Sequence, residues 1–341
     1  MQLSKYITKY IEAQKIRKVF MLSGTGSIYL DDAFSKSKKL NYICARHEAA
    51  AVMMANATSK LSGNVGVVIA TTGPGGTNAI GGLAESWVDS VPILVISGQT
   101  FGYQISNKAR SFGLQGFNII DNVKKITKYS AIINDPQKIK YHLDKAFYYA
   151  SEGRPGPVWL DIPMDIQAAE VKPNLLRGFK KIDKIKKNKA SKYKKLCSLL
   201  NNSKNPVILY GQGIRLSKSV NEFRKFIRNL NIPAICTRMG LDILKYNETN
   251  FFGLAGIRGH KFSQKIIKKA DLLLTIGTSI PHTVIGKDLN NLNKNVQIIS
   301  NDIDLNELNK KNLIKPKILF DEDCKTFLIT ARKFLKKTNN D

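Results

Sequence analysis

Apolar positions along the first 165 residues alternate between two rhythms. Leu3, Tyr6, Ile7, Tyr10 and Ile11, closed by Gln14, recur at the spacing of one helix face and predict an opening amphipathic helix. Residues 19–22 form a short apolar run that leads into Ser23, Gly24, Thr25, Gly26 and Ser27. A helix is expected next, and then a strand over 42–45. Residues 47–61 are rich in Ala and Met and contain no breaker, so they predict a helix that Gly63 ends. The run 65–70 is continuously apolar, as strands buried on both faces of a parallel sheet are. A Gly/Pro-rich loop over 71–78, a helix over 79–88 and a second buried strand over 92–97, ending at Gly98, continue the pattern. Residues 136–151 read as helix and 156–163 as the last strand. This alternation predicts an α/β domain around a parallel sheet.

Pro173 and a run of lysines mark residues 166–192 as a solvated linker. Beyond it the rhythm resumes, with strands at 206–210, 233–237, 271–276 and 296–300 and helices near 217–230 and 261–270. Phe327, Leu328, Ala331, Phe334 and Leu335 space a closing amphipathic helix, followed by a polar tail. The expected organisation is therefore two parallel-sheet α/β domains, 1–165 and 193–341, joined by a basic linker, the second of them Rossmann-like. A length of 341 residues accommodates two such domains.

Composition narrows the function classes. The chain is 43% hydrophobic and 23% charged, ordinary values for a globular protein. No apolar run approaches the ~20 residues that span a bilayer, and the first ten residues lack the continuous apolar stretch of a secretory signal. The net charge of +28 would suit nucleic acid or an anionic membrane. However, the excess is mostly Lys and accompanies many Ile and Asn, as in AT-rich coding sequence. The most basic stretch, 177–195, has only Phe179 and Tyr193 as aromatics, one near each end, and no zinc-finger or RNP pattern accompanies it. Neither nucleic acid nor membrane is expected as a partner. Cys44, Cys197, Cys236 and Cys324 are far apart, which fits idle thiols in a reducing cytoplasm. His47, His142, His260 and His282 show no metal-ligand spacing, and no metal site is expected.

Two stretches carry chemistry. One is Ala45-Arg46-His47-Glu48-Ala49-Ala50-Ala51, and the other is Thr71-Thr72-Gly73-Pro74-Gly75-Gly76-Thr77-Asn78. Taken alone, Glu48 is an acid favoured in the first turn of a helix. The glycine loop, with no lysine after it, is a tight turn and not a P-loop. Gly153-Arg154-Pro155-Gly156-Pro157 and the segment Val91 to Gln99 complete the picture. Together these segments resemble the thiamine-diphosphate enzymes of the acetolactate synthase group. The likeness covers their pyrimidine-binding domain almost end to end. In the second half, Gly211-Gln212-Gly213-Ile214-Arg215, Gly256-Ile257-Arg258-Gly259 and Asn301-Asp302-Ile303-Asp304 resemble the same family's central domain.

The resemblance implies roles. Glu48 would bond the aminopyrimidine of the cofactor and promote the imino tautomer that removes the thiazolium C2 proton. Thr72, Gly73, Pro74 and Asn78 would line the cofactor ring, and Gly24, Thr25 and Gly26 would form the first glycine-rich loop near the reaction centre. A turn alone is an equal reading of that first loop. Gln115 would stand at the active-site mouth, where Gly116 replaces the acid that often follows. Lys128 matches a basic residue beside the substrate channel, although a surface lysine is an equal reading. Gly211, Gly213, Arg215, Gly256 and Arg258 would face FAD or an ADP-like nucleotide. The Arg-Phe-Asp-Asp-Arg run that helps hold the flavin is absent: Thr278, Ser279, Ile280, Pro281 and His282 follow Gly277.

The implied reaction decarboxylates a 2-oxo acid such as pyruvate and transfers the resulting carbanion/enamine to a second carbonyl. The family's diphosphate-binding domain, which holds Mg²⁺ through a Gly-Asp-Gly signature, has no counterpart here, since these residues contain no Gly-Asp dipeptide. Three readings stay open: a split enzyme with a separate diphosphate-domain chain, a truncated chain, or a non-catalytic assembly subunit. The implied partners are a second copy of the chain, in a homodimer or higher oligomer, and/or a separate diphosphate-binding-domain chain. An NAD-type oxidoreductase is the lesser alternative, because Gly211-Gln212-Gly213 lacks the third glycine of the dinucleotide fingerprint.

Overall fold

A computed structural model describes residues 1–105, 112–181, 188–286, 291–308 and 315–338. The chain divides into two compact units, Met1–Asp183 and Lys184–Asp341.

In the first unit the elements run α1 (Leu3–Ala13), β1 (Lys18–Met21), α2 (Ile28–Ser35), β2 (Asn41–Cys44), α3 (Glu48–Ser62), β3 (Gly66–Ala70), α4 (Pro74–Val88) and β4 (Ile93–Gln99). They continue with α5 (Ile119–Val123), β5 (Tyr129–Ile132), α6 (Ile139–Ser151), β6 (Val158–Pro163) and α7 (Met164–Ala168). The six strands are ordered β2-β1-β3-β4-β6-β5 and all pair in parallel. Strands β3, β4 and β6 are buried at every position, as continuous apolar runs between two helix layers should be. One face packs Leu3, Ile7 and Ile11 of α1 with Phe34 and Leu143. The other packs Val52 and Ala55 of α3, Ala79 and Leu83 of α4, and Ile119.

Local chemistry explains the boundaries. Helix α3 is capped by His47, whose Nδ1 accepts the Ala49 N–H at 3.2 Å, and it ends at Gly63 in the left-handed region. Helix α4 begins at Pro74, five residues before the expected start. Proline suits a first helical position because its missing N–H would have had no partner there. The loop expected over 71–78 therefore shrinks to 71–73. Helices α3 and α4 lie against each other at Gly82, where a Cβ would come within 2.9 Å of the Ala49 carbonyl. The stretch after β6, which the sequence suggests is linker, packs onto this unit as far as Phe179, whose ring lies against Tyr141, Tyr148 and Tyr149 of α6. Val171 and Leu176 are buried, and the Met1 amine donates to the Val171 carbonyl at 2.9 Å. Residues 182–187 of the basic stretch lie outside the described residues.

The second unit contains α8 (Ala190–Asn202), β7 (Pro206–Tyr210), α9 (Gly213–Leu216), α10 (Val220–Leu230), β8 (Ala234–Cys236), β9 (Phe251–Leu254) and α11 (Lys261–Lys269). Then come β10 (Leu272–Ile276), α12 (His282–Ile285), β11 (Gln297–Asn301), α13 (Leu305–Leu308), β12 (Ile318–Phe320) and α14 (Cys324–Thr338). Its sheet, β12-β11-β10-β7-β8-β9, is also all parallel. Tyr193, Phe223, Phe226, Phe320 and Phe327 fill its core. Among the described residues no helix is long and apolar enough to cross a membrane.

Candidate active site

In open parallel sheets, ligands bind beyond the carboxyl ends of the strands, where the strand order reverses. In the first unit that point lies between β1 and β3, because the chain steps from β1 outward to β2 and then back across to β3. The loops after β1 and β3 meet there. A Cβ on Gly24 would lie 2.5 Å from Thr71 Oγ1, and one on Gly26 would overlap Thr72 Oγ1. Gly24 and Gly26 are thus required by close packing of the two loops. Thr25 is exposed on the turn between them.

Glu48 enters from the neighbouring β2–α3 connection. It is only 4% exposed, and Asn78 on α4 donates to its Oε2 at 3.1 Å. Among the described residues Asn78 is the sole hydrogen-bond donor to this carboxyl group. Gly75 lies over the other oxygen, and a Cβ there would sit 3.3 Å from Glu48 Oε1. Gly73, at φ +59°, turns the chain from β3 into α4 and brings Pro74 to the surface. The backbone of Gln115 lies on Gly73, since a Cβ at residue 73 would come within 2.6 Å of the Gln115 carbonyl. The structure therefore gathers Gly24, Gly26, Glu48, Thr72, Gly73, Asn78 and Gln115 at one end of the sheet. It also explains Gly116, where a Cβ would lie 2.5 Å from Thr100 Cγ2 and an acid would not fit.

Lys128 is not part of this group. It precedes the first residue of β5, at the opposite end of the parallel sheet, and its Nζ donates to the Glu152 carbonyl. Its stem packs beside Gly156.

Three supporting residues escape a reading of the sequence. Asp31 accepts the Gly24 N–H at 3.2 Å and the Ser27 hydroxyl at 2.9 Å. Burial pushes its carboxyl up to about 6, against the pull of those two bonds. Gln167, fully buried, donates to the Gly26 carbonyl at 2.7 Å. Asp161, also fully buried, lies on β6 among Ser97 and Gln99 of β4. A single acid inside an otherwise apolar strand run is the one signal that could have drawn attention to it.

In the second unit the order reverses between β7 and β10. The glycines there face each other. A Cβ on Gly213 would lie 2.6 Å from Gly277 Cα, and one on Gly211 would meet Thr278 and the Gly277 carbonyl at 2.7 Å. The Gly213 N–H donates to the Gly277 carbonyl at 2.9 Å. Arg215 pairs with Asp242 at 2.6 Å. Gly256, at φ +101°, turns the chain beside Thr283, and Arg258 is exposed. Gly211 and Gly213 are accounted for by packing of one turn on another. All four cysteines carry free thiols. Among the described residues no three His, Cys, Asp or Glu side chains come together to hold a metal ion.

Two parallel α/β units, the first holding a buried carboxylate where its strand order reverses, place the chain among the open parallel-sheet α/β proteins. Comparison with known proteins names the family. The thiamine pyrophosphate enzyme N-terminal TPP-binding domain matches residues 1–123, and the thiamine pyrophosphate enzyme central domain matches residues 193–328. The chain belongs to the thiamine pyrophosphate enzyme family. It is 32% identical over 329 residues to the acetolactate synthase large subunit of Lactococcus lactis, covering 95% of this chain and 56% of that one. The acetolactate synthase isozyme 2 large subunit of Escherichia coli is 30% identical over 307 residues, covering 90% and 55%. The chloroplastic acetolactate synthase of Arabidopsis thaliana is 30% identical over 308 residues, covering 89% and 45%. The chain spans about half the length of these relatives.

Proposed function

We propose that this chain supplies the pyrimidine-binding half of a thiamine-diphosphate enzyme of the acetolactate synthase type. The reaction would decarboxylate a 2-oxo acid such as pyruvate and ligate the remaining carbons to a second carbonyl compound. The observation that carries this reading is Glu48: a buried carboxyl with one oxygen held by Asn78 and the other under Gly75, where any larger residue would intrude.

The residues present fit the pyrimidine end of the cofactor. When bound, thiamine diphosphate supplies a thiazolium that accepts the electrons released by decarboxylation. Glu48 would hold and return a proton at Oε1, toward a ring nitrogen of the pyrimidine. Asn78 fixes the carboxyl plane, and the absence of a side chain at Gly75 leaves the ring room to approach. Gln115, held over Gly73, would face the substrate at the mouth. The groups that bind the diphosphate and Mg²⁺ would come from a diphosphate-binding domain outside these 341 residues, paired with this unit in a dimer or higher oligomer. The packed turns of the second unit give no support to FAD or an ADP-like nucleotide. Free thiols on all four cysteines accord with a reducing cytoplasm.

Reconstitution tests the reading. The chain is mixed with a diphosphate-domain chain, Mg²⁺ and thiamine diphosphate, and acetolactate formation from pyruvate is followed. Glu48→Gln should abolish nearly all turnover while leaving the circular dichroism unchanged. Full activity in that variant would reduce Glu48 to a helix-start acid.

A further inference from the structure

We infer that the β6–α7 segment is a positioning strut for the site: Asp161, acting through Gln99, sets the loop that carries Gln115, and Gln167 sets the loop that carries Gly26. The functional meaning of the strut rests on the proposed roles of Glu48 and Gln115, but its geometry does not.

The first arm runs through a closed set of hydrogen bonds. Ser97 and Asp161 are register partners on β4 and β6, and the Ser97 hydroxyl donates to Asp161 Oδ1 at 2.5 Å. Gln99 Nε2 uses both of its hydrogens, one on Asp161 Oδ2 at 3.0 Å and one on the Phe117 carbonyl at 2.9 Å. Its Oε1 accepts the Thr100 N–H at 3.0 Å. Phe117 is two residues from Gln115, and the Gly113 and Gly116 backbone presses on Thr100. Asp161 thereby orients the amide that pins this loop. The second arm is shorter: Gln167 Nε2 bridges the Ile162 carbonyl at 2.7 Å and the Gly26 carbonyl at 2.7 Å. Both arms start from one strand end, so the loops on either side of Glu48 are set from a common base.

The charge state of Asp161 is part of the device. Ionised, it accepts from both Ser97 and Gln99. Protonated, it turns one oxygen into a donor with reduced acceptor capacity, and its bonds to Ser97 and Gln99 rearrange. Burial pushes its carboxyl up to about 7, against the pull of the two bonds. No charged group contributes to that shift. On the covering helices, α4 has no acid or base in its first turn, and Asp121 of α5 is paired with Lys124 and Asn118. Glu48 of α3 is bonded to Asn78. On β5 the register partner of Asp161 is Ile132.

Trp159 reports on this network, because its indole N–H donates to Ser97 Oγ at 2.7 Å. The chain has two tryptophans, so Trp87→Phe leaves Trp159 as the sole tryptophan, excited selectively at the red edge where tyrosine does not absorb. Its fluorescence should change in a single step near pH 7, and Asp161→Asn should remove that step. Hydrogen exchange then locates the two arms. Asp161→Asn should lower the protection of the Gly116 amide by about fivefold and leave the Ser27 amide unaltered; Gln167→Met should do the reverse. In the folded wild type, Gly116 protection should itself change through pH 7, which decides the matter if a variant fails to fold. A fluorescence step that survives Asp161→Asn, a flat wild-type profile, or equal loss at both amides in both variants would overturn the proposal. None of these measurements needs cofactor, so failure of the cofactor reading and failure of the strut give different results.

Discussion

Both units reverse their strand order, after one outward strand in the first and after two in the second, and they fill the resulting crevices differently. In the first, the meeting loops leave a carboxyl group beside them: Glu48 is buried, bonded to Asn78 on one oxygen and approached by Gly75 at the other. In the second, Gly211 and Gly213 are pressed against Gly277 and Thr278, and Arg215 is neutralised by Asp242. Both crevices are glycine-rich in sequence, yet in the first a glycine faces a buried carboxyl group and in the second the glycines face another turn. A glycine motif therefore signals close approach. What approaches, ligand or neighbouring turn, is decided by where the missing Cβ points.

The sharpest way to break this contrast is mutation of the carboxyl group. In the reconstituted enzyme, Glu48→Gln should cut turnover by about 10²–10⁴, whereas Arg215→Ala in the second crevice should leave turnover unaltered. Comparable losses in the two variants would erase the distinction.

Next in size is the pH dependence of stability in the first unit. Folded Asp161 keeps its proton up to about 7, and unfolded it releases it near its ordinary value of 3.8. Between those limits the unfolded state binds fewer protons, so stability falls as pH rises from about 4 to 7 and levels off above. The total is on the order of 4 kcal/mol. Urea melts of Asp161→Asn should show a flatter profile across that window. An unchanged slope would mean that another group titrates.

Smaller effects test the packing account of the glycines. Gly26→Ala and Gly213→Ala each force a Cβ into a neighbouring turn and should cost about 1–3 kcal/mol by urea unfolding. If Gly213→Ala is tolerated freely, the second crevice is more open than its contacts indicate. Least affected should be stability in Arg215→Ala, which removes a half-exposed ion pair worth about 0–1 kcal/mol.

Much of the architecture was legible in the chain. The continuous apolar runs at β3, β4 and β10 and the unbroken α3 announced themselves through composition and spacing. Strand β5 did not, because all four of its residues are half-buried at a sheet edge and carry no apolar run. Strand β9 contains Gly253 at φ +78° and an irregular register, so it lacks an extended signature. Strand β12 has only three residues. At the site, Glu48, Gly73 and Asn78 were found through resemblance, and the structure shows them together. Asp161 and Gln167 were missed because Ser97, Gln99 and Gly26, to which they bond, lie more than sixty residues away along the chain, and Asp31, whose partners Gly24 and Ser27 are near in sequence, looks like an ordinary first-turn helix acid. Lys128 matched a pattern but lies at the other end of the sheet, since a motif does not record which strand end its residue occupies.

The contact at Gly82 has a thermodynamic consequence. By letting α3 and α4 approach closely, it fixes the carboxyl carried by one helix and the amide carried by the other as a preassembled pair. The ordering of Glu48 is then completed during folding, so an incoming ring meets an acceptor that has no conformational freedom left to lose. Binding at this end of the cofactor should therefore show little of the unfavourable entropy that accompanies induced order. A caliper set in advance, it measures its ligand without closing on it.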